Sequence, residues 1–309
     1  MKKIWSILKD HVRSDFEWPY YASVAAFLAA NIALNSLFDW EEKIDWYNGT
    51  VWRLAGYFLL YSFAYYGGFA IVLIFKPEAR RLLTLKFWIL SLAGVMILTL
   101  DSGFPYFGQI VVWVKGDYRV YSFAYSVLSN AIGFIYVFLP LMLVHRFLNV
   151  RKKELYGLIA PGYDFKPYLL LLMLMAPMIA GASFTEGFKS YYPTYKYNLV
   201  SEALSVSPWI PVAVFEFFYS LDFFNVELLF RGFMVIGLSH LIGKDAIIPM
   251  VTTYCFIHFG KPVGEAISSI FGGYILGVLA FYTRGIWGGV VIHIGIALLM
   301  ELFAFLQKL

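Results

Sequence analysis

Glu227 and Arg231 stand one helical turn apart in the apolar run Asn225-Val226-Glu227-Leu228-Leu229-Phe230-Arg231-Gly232. An unpaired charge at the bilayer centre costs roughly 2.5–3.5 kcal/mol, so a carboxylate and a guanidinium at i,i+4 point to a buried site in which the two pair. Two histidines, His258 and His293, lie in later apolar segments. Residue types alone leave three chemistries open. Glu227 and Arg231 form a structural ion pair while each histidine hydrogen-bonds a neighbouring helix. Alternatively, Glu216, Asp222 and Glu227 act as a proton or solute relay. The third option is zinc held by two imidazoles and a carboxylate. The HExxH helix of zinc hydrolases is absent from the sequence, and no inverted repeat supports a carrier.

A shared site requires the helices to deliver these groups to one depth. From Lys244, at a turn between apolar segments, His258 lies about 20 Å inward. Glu227 lies about 20 Å from His240, and His293 about 13 Å from Arg284. Against a hydrocarbon core of about 30 Å, all three fall around the middle. If residues 209–240 form one helix, Glu216 and Glu227 are about 20° apart, Arg231 is about 40° further round, and Asp222 falls near the face of Val226. Ser220 and Asp222 also offer a cap for a new helix, so two helices are the alternative.

The elements around these residues are those of an all-α polytopic membrane bundle. The chain has 309 residues, 61% of them hydrophobic and 14% charged, with a mean hydropathy of +0.70. A soluble domain carries roughly 25% charged residues. Apolar segments run at 21–38, 54–75, 87–105, 121–144, 168–185, 209–240, 246–259, 267–283 and 286–306, which predicts eight or nine transmembrane helices. The third is interrupted by Asp101, Gly103 and Pro105, and the seventh is short for a span. Residues 1–19 are basic, and Ile4, Leu8 and Val12 recur beside Trp5. They read as an interfacial amphipathic helix, with a frayed basic tail as the alternative. Residues 20–150 form an N-terminal group of membrane helices, and 151–309 a C-terminal core that carries nearly all the intramembrane ionisable residues. A single cysteine, Cys255, excludes an intrachain disulfide and a cysteine-rich metal cluster.

Loop charge gives the orientation. Lys2, Lys3, Lys9 and Arg13 precede the first segment; Lys76, Arg80, Arg81 and Lys86 follow the second; Arg146, Arg151, Lys152, Lys153 and Lys166 follow the fourth. The alternate loops hold only Lys43 and Arg53, Lys115 and Arg119, and Lys189 and Lys196. This bias places the N-terminus in the cytoplasm, and the expected location is a bacterial cytoplasmic membrane. The net charge of +4 is spread through loops and does not suggest nucleic acid.

Glu227-Leu228-Leu229-Phe230-Arg231-Gly232, then Tyr254-Cys255-Phe256-Ile257-His258, then His293 resembles the three-motif signature of the CPBP family. These are the CAAX-protease and bacteriocin-processing membrane proteins, which include the Ras-converting prenyl protease. The family pattern is two adjacent glutamates followed by three residues and then an arginine, a phenylalanine with a histidine four on, and a histidine with an asparagine four on. The likeness covers roughly residues 209–306, about a third of the chain. It implies a metal-free glutamic intramembrane endopeptidase, in which a glutamate and a histidine activate water while a second histidine and the asparagine stabilise the oxyanion. By this analogy Glu227, His258 and His293 are catalytic and Arg231 orients Glu227. The implied substrate is a membrane-associated peptide or protein, open to lipidation, met within the bilayer.

The sequence departs from that pattern at Val226, which replaces the first glutamate, and at Ala297, which replaces the asparagine; Tyr254 in place of phenylalanine is milder. Neighbouring helical positions point about 100° apart, so Glu227 does not simply take over from Val226. Asp222, one turn before Val226, is a secondary candidate for that face, together with Glu216 and Tyr254. Three functions follow: an intramembrane protease, a catalytically inactive scaffold or immunity-type binding protein on the same fold, and a coupled carrier. No cofactor is expected, zinc being the disfavoured alternative.

Overall fold

In lipid, a backbone amide without a protein partner has no water to fall back on, so long apolar runs fold into helices. A computed structural model describes residues 2–104, 112, 116–148, 154–159, 164–195 and 199–308. Pro105, Lys115, Arg151, Lys152, Lys153 and Lys196, which bear on the third segment's end and on loop charge, lie outside the described residues, as does the boundary at 150. Among the described residues every regular element is helical. In chain order these are α1 (Lys2–Asp15), α2 (Trp18–Phe38), α3 (Trp40–Asp45), α4 (Val51–Phe75) and α5 (Leu85–Gly103). Next come α6 (Tyr118–Phe147), which has a wide turn at Phe134–Phe138, α7 (Lys166–Ala182), α8 (Glu186–Tyr191) and α9 (Leu199–Leu204). Then α10 (Trp209–Glu227) continues into a π-helical segment (Leu228–Gly237), followed by α11 (Ile247–Phe256), α12 (Val263–Thr283) and α13 (Trp287–Leu306).

Seven helical runs among the described residues are long and apolar enough to cross a membrane. Eight or nine were expected, and the difference lies in two places. Helix α7 is apolar but only 17 residues long. The run Trp209–Phe256 contains two of the expected segments, the second being the 10-residue α11. All ten residues of α11 are buried. A helix enclosed on every side can be apolar all round without meeting lipid. Its Thr252 hydroxyl donates to the Ala64 carbonyl at 2.8 Å, an approach that a side chain at Gly68 would block.

The protein is thus an integral, multi-pass membrane protein. One end of the bundle gathers Asp15, Lys76, Glu154, Lys244, Asp245 and Arg284. Lys76 Nζ is 2.7 Å from Asp15 and 2.8 Å from Asp245, and Lys244 Nζ is 2.8 Å from Asp15; Arg284 pairs with Glu154. Burial alone would lift the Asp15 carboxyl, but hydrogen bonds from Lys244 and Lys76 hold it below its usual range. The turns before α2, after α4 and before α11 therefore meet at one end. Helix α1 lies at this end, with Ile4 buried beside Leu276, Leu279 and Ile292 and His11 Nδ1 3.3 Å from Tyr282 Oη. Trp5 on α1 and Phe16 just beyond it stay exposed.

Of the two readings of 209–240, the break near Ser220–Asp222 does not occur, since α10 runs through it. The irregularity comes later, where the Leu238 amide donates to Phe233 O at 3.1 Å, five residues back. Here the turn at Leu155–Gly157 presses in: the Tyr156 carbonyl and ring occupy the space that side chains at Gly232 and Gly237 would fill. Wide helical turns of this kind recur at functional sites. The main core joins both halves of the chain, packing Tyr61, Tyr65, Phe69 and Phe87 with Phe230, Phe233 and Phe256.

Candidate active site

Glu227 closes α10 and Arg231 lies in the first π turn; both side chains are buried, at 0% and 1% exposure. Glu227 Oε1 is 2.9 Å from Arg231 Nη1 and 3.1 Å from His293 Nδ1. The contact with Arg231 is an ion pair whose angle is not that of a hydrogen bond. Its guanidinium lies instead over the Tyr254 ring, 4.1 Å from the centroid, a desolvated cation–π contact. Tyr254 Oη is 3.2 Å from His293 Nε2, and the Tyr254 carbonyl is 2.8 Å from His258 Nδ1.

Hydrogen-bond chemistry fixes the tautomers in this set. A carbonyl only accepts, so His258 carries its proton on Nδ1 and presents a lone pair at Nε2. With the Glu227 carboxylate accepting from His293 Nδ1, the neutral ring accepts at Nε2 from the Tyr254 hydroxyl. Polar contacts therefore link Arg231, Glu227, His293 and the Tyr254 hydroxyl across α10 with its π-helical continuation, α13 and α11, while His258, just beyond α11, joins through the Tyr254 backbone carbonyl. Phe223 covers His293 with ring centroids 4.5 Å apart, and Phe230 meets Tyr254 edge-on at 5.1 Å.

Glu227 Oε2 has no hydrogen-bond partner. A side chain at Gly289 would collide with it, so this glycine leaves the oxygen its space. The crevice beside it, lined by Tyr168, Arg231, Leu276, Ala280 and Gly285 among others, is too narrow for a water molecule.

Two secondary candidates lie elsewhere. Glu216 is about 16 Å along α10 from Glu227 and feels the charge of Glu301, whose Oε1 accepts from the Thr194 amide at 2.8 Å. Asp222 turns toward Asp101 and Gly133. Neither extends the chain to the histidines. Val226 packs partly buried against the main core, and Ala297 is 4% exposed with an apolar side chain, one turn beyond His293. Tyr254 has a larger part than sequence reasoning gave it, because its ring, hydroxyl and carbonyl each bind a different site residue. The motif spacing could not show this, since it treats the position as an aromatic filler.

The N-terminal half also reaches the site, which the sequence did not signal. Asn35 Nδ2 donates to Phe259 O at 3.1 Å, Trp40 packs on Phe259 with centroids 6.0 Å apart, and the Gly260 amide donates to Glu41. These contacts hold the turn that follows His258. Burial pushes the Glu41 carboxyl from 4.5 up to about 7, with the Gly260 amide drawing it back. Between those values the folded chain keeps a proton that the unfolded chain has lost, so this group's contribution to stability falls as pH rises through the window. Wild-type unfolding temperature is therefore expected to drop between about pH 5 and about pH 7 relative to Glu41→Gln, which has no proton to lose there. Parallel pH profiles from the two proteins would contradict this reading of Glu41.

No curated protein and no solved structure matches the chain. Residues 208–299 of the 309 match the family described as Type II CAAX prenyl endopeptidase Rce1-like. That stretch contains Glu227, Arg231, Tyr254, His258 and His293, and so the whole polar chain. Over residues 208–299 the chain is thus similar to the Rce1-like, type II CAAX prenyl endopeptidases of the CPBP family.

Proposed function

We propose that the protein is an intramembrane endopeptidase that hydrolyses a peptide bond of a membrane-associated, lipidated substrate. The observation that carries this reading is the buried chain Arg231–Glu227–His293–Tyr254–His258, in which Glu227 Oε2 and His258 Nε2 remain uncommitted. Arg231 and His293 fix Oε1, so Oε2 is the oxygen left to take a proton from water. Water oxygen attacks the scissile carbonyl carbon, and its proton passes to Glu227 Oε2 or His258 Nε2. The Tyr254 hydroxyl, turning from His293, donates to the oxyanion in the role the family gives to the asparagine that Ala297 replaces. The stored proton then moves to the amide nitrogen, the C–N bond breaks, and a carboxylate and an amine leave. Donors fixed in advance at a developing oxyanion act strongly where water is excluded. The reading needs no metal, because both ring nitrogens of His293 are engaged within the protein. The basic end of the bundle faces the cytoplasm of a bacterial cell, with the N-terminus on that side.

A second reading is a non-catalytic scaffold or immunity-type binding protein. Val226 favours it, standing where the family's water-activating glutamate is expected, and so does the tight crevice beside Glu227. Reconstituted protein incubated with farnesylated and unmodified CAAX peptides and a membrane-peptide library separates the two. The protease reading expects cleavage with preference for the lipidated peptides. Folded protein that cleaves none of them would move the assignment to the scaffold.

A further inference from the structure

A second polar group lies on the far side of α10. Asp222 and Asn225 precede Glu227 by five and two residues, which turns them about 140° and 160° away from it. They face Gly133 of α6, with Asp101 of α5 alongside. A Cβ placed on Gly133 would sit 3.0 Å from Asp222 Oδ1, 3.0 Å from Asn225 Nδ2 and 3.5 Å from Asp101 Oδ1. Two helices, α5 and α10, thus aim two carboxylates and an amide at one point on α6, and only a glycine leaves that point open.

Asn225 is 1% exposed, and neither its Oδ1 nor its Nδ2 has a hydrogen-bond partner. An unmatched buried amide is costly, so its presence beside two acids calls for a missing partner. The acids lack one too. Asp101 and Asp222 act on each other, and Lys261, whose charge reaches Asp222, is turned to Glu265 at 3.9 Å. Two carboxylates this close in an apolar setting do not both carry charge without a counter-charge.

The donor set is all oxygen once the Asn225 amide is turned over, and amide orientation is interchangeable at this level. Two carboxylates and an amide carbonyl are hard donors of the kind that Ca²⁺ takes, with water completing its flexible shell. One divalent ion would cancel both charges. Asp101 and Asp222 are only partly buried whereas Asn225 is fully so, which leaves an approach from the aspartate side.

We infer that Asp101, Asp222 and Asn225, seated on Gly133, form a binding site for a divalent cation of the Ca²⁺ type, separate from the peptidase site. Such an ion ties α5 and α6 to the back of α10, the helix that ends in Glu227. The inference does not depend on the proposed activity, because its readout is binding. Purified protein treated with chelator would be dialysed against radioactive Ca²⁺ and, in parallel, unfolded by heat in CaCl₂ or in choline chloride of equal ionic strength. One saturable ion per chain and a rise in unfolding temperature are expected, both lost in Asp222→Asn and in Asp101→Asn. Gly133→Ala, which leaves all three donors in place but fills their meeting point, should weaken binding at least tenfold and provides a check should an aspartate variant not fold. No bound Ca²⁺, a shift shared equally by choline, or binding retained in both aspartate variants would overturn the site and leave a shared proton as the counter-charge.

Discussion

Arg231→Met is expected to destabilise the protein by about 3–5 kcal/mol, because it removes one partner of a buried ion pair and strands the other. Glu227 would keep its bond to His293 but lose the guanidinium 2.9 Å from Oε1, and no water-sized space adjoins it to supply solvation. Methionine is apolar and of comparable length, so cavity formation contributes little. The stacking of the guanidinium on Tyr254 would be lost as well, and that loosens the residue that links both histidines. Combining Arg231→Met with Glu227→Gln should recover most of the loss, since the stranded charge is then gone. Thermal or denaturant unfolding in detergent, read for the single and double variants, checks this. A single variant as stable as wild type would show that the pair is not what holds this layer together.

Tyr254→Phe is expected to lower kcat by about 10²–10³, the usual effect of removing one oxyanion donor, with KM nearly unchanged. The substitution restores the aromatic residue of the family pattern, so a purely structural view predicts no loss. Ala297→Asn added to Tyr254→Phe should return much of the rate, because it puts a donor one turn beyond His293, where the family has one. Steady-state rates on any peptide that wild type cleaves would decide. An unchanged kcat in Tyr254→Phe would remove the tyrosine from the chemistry and leave only its packing part.

Much of this arrangement was legible in the sequence, for a physical reason. Intramembrane charge is expensive, so Glu227, Arg231, His258 and His293 stood out from an apolar background, and helix rise alone put them at one depth. Lys76 and Lys244, both placed at turns between apolar segments by the sequence, do meet at Asp15. Direction around the helix axis was harder to read. Glu216 and Glu227 do fall on similar faces of α10, but a common face is not a common depth, and Glu216 lies about 16 Å along the helix, within the field of Glu301. The π segment could not be foreseen, because it packs on Tyr156 at Gly232 and Gly237 from a turn distant in sequence. Asn35, Glu41 and Tyr254 were missed or underweighted for the same reason. Their roles rest on contacts distant in sequence, Asn35 and Glu41 to the His258 turn and Tyr254 to His293, and no local pattern encodes such contacts.

The most direct test of the central claim is a cleavage rate for reconstituted wild type beside Glu227→Gln, on one farnesylated CAAX peptide, with unfolding temperature measured on the same samples. Glutamine keeps the shape of the side chain and removes its ability to take a proton, and a general base contributes about 10²–10⁴ in rate. The account predicts cleavage by wild type and a loss of that size in the variant, which remains folded. Equal rates from the two proteins would contradict it, because Glu227 would then have no part in activating water.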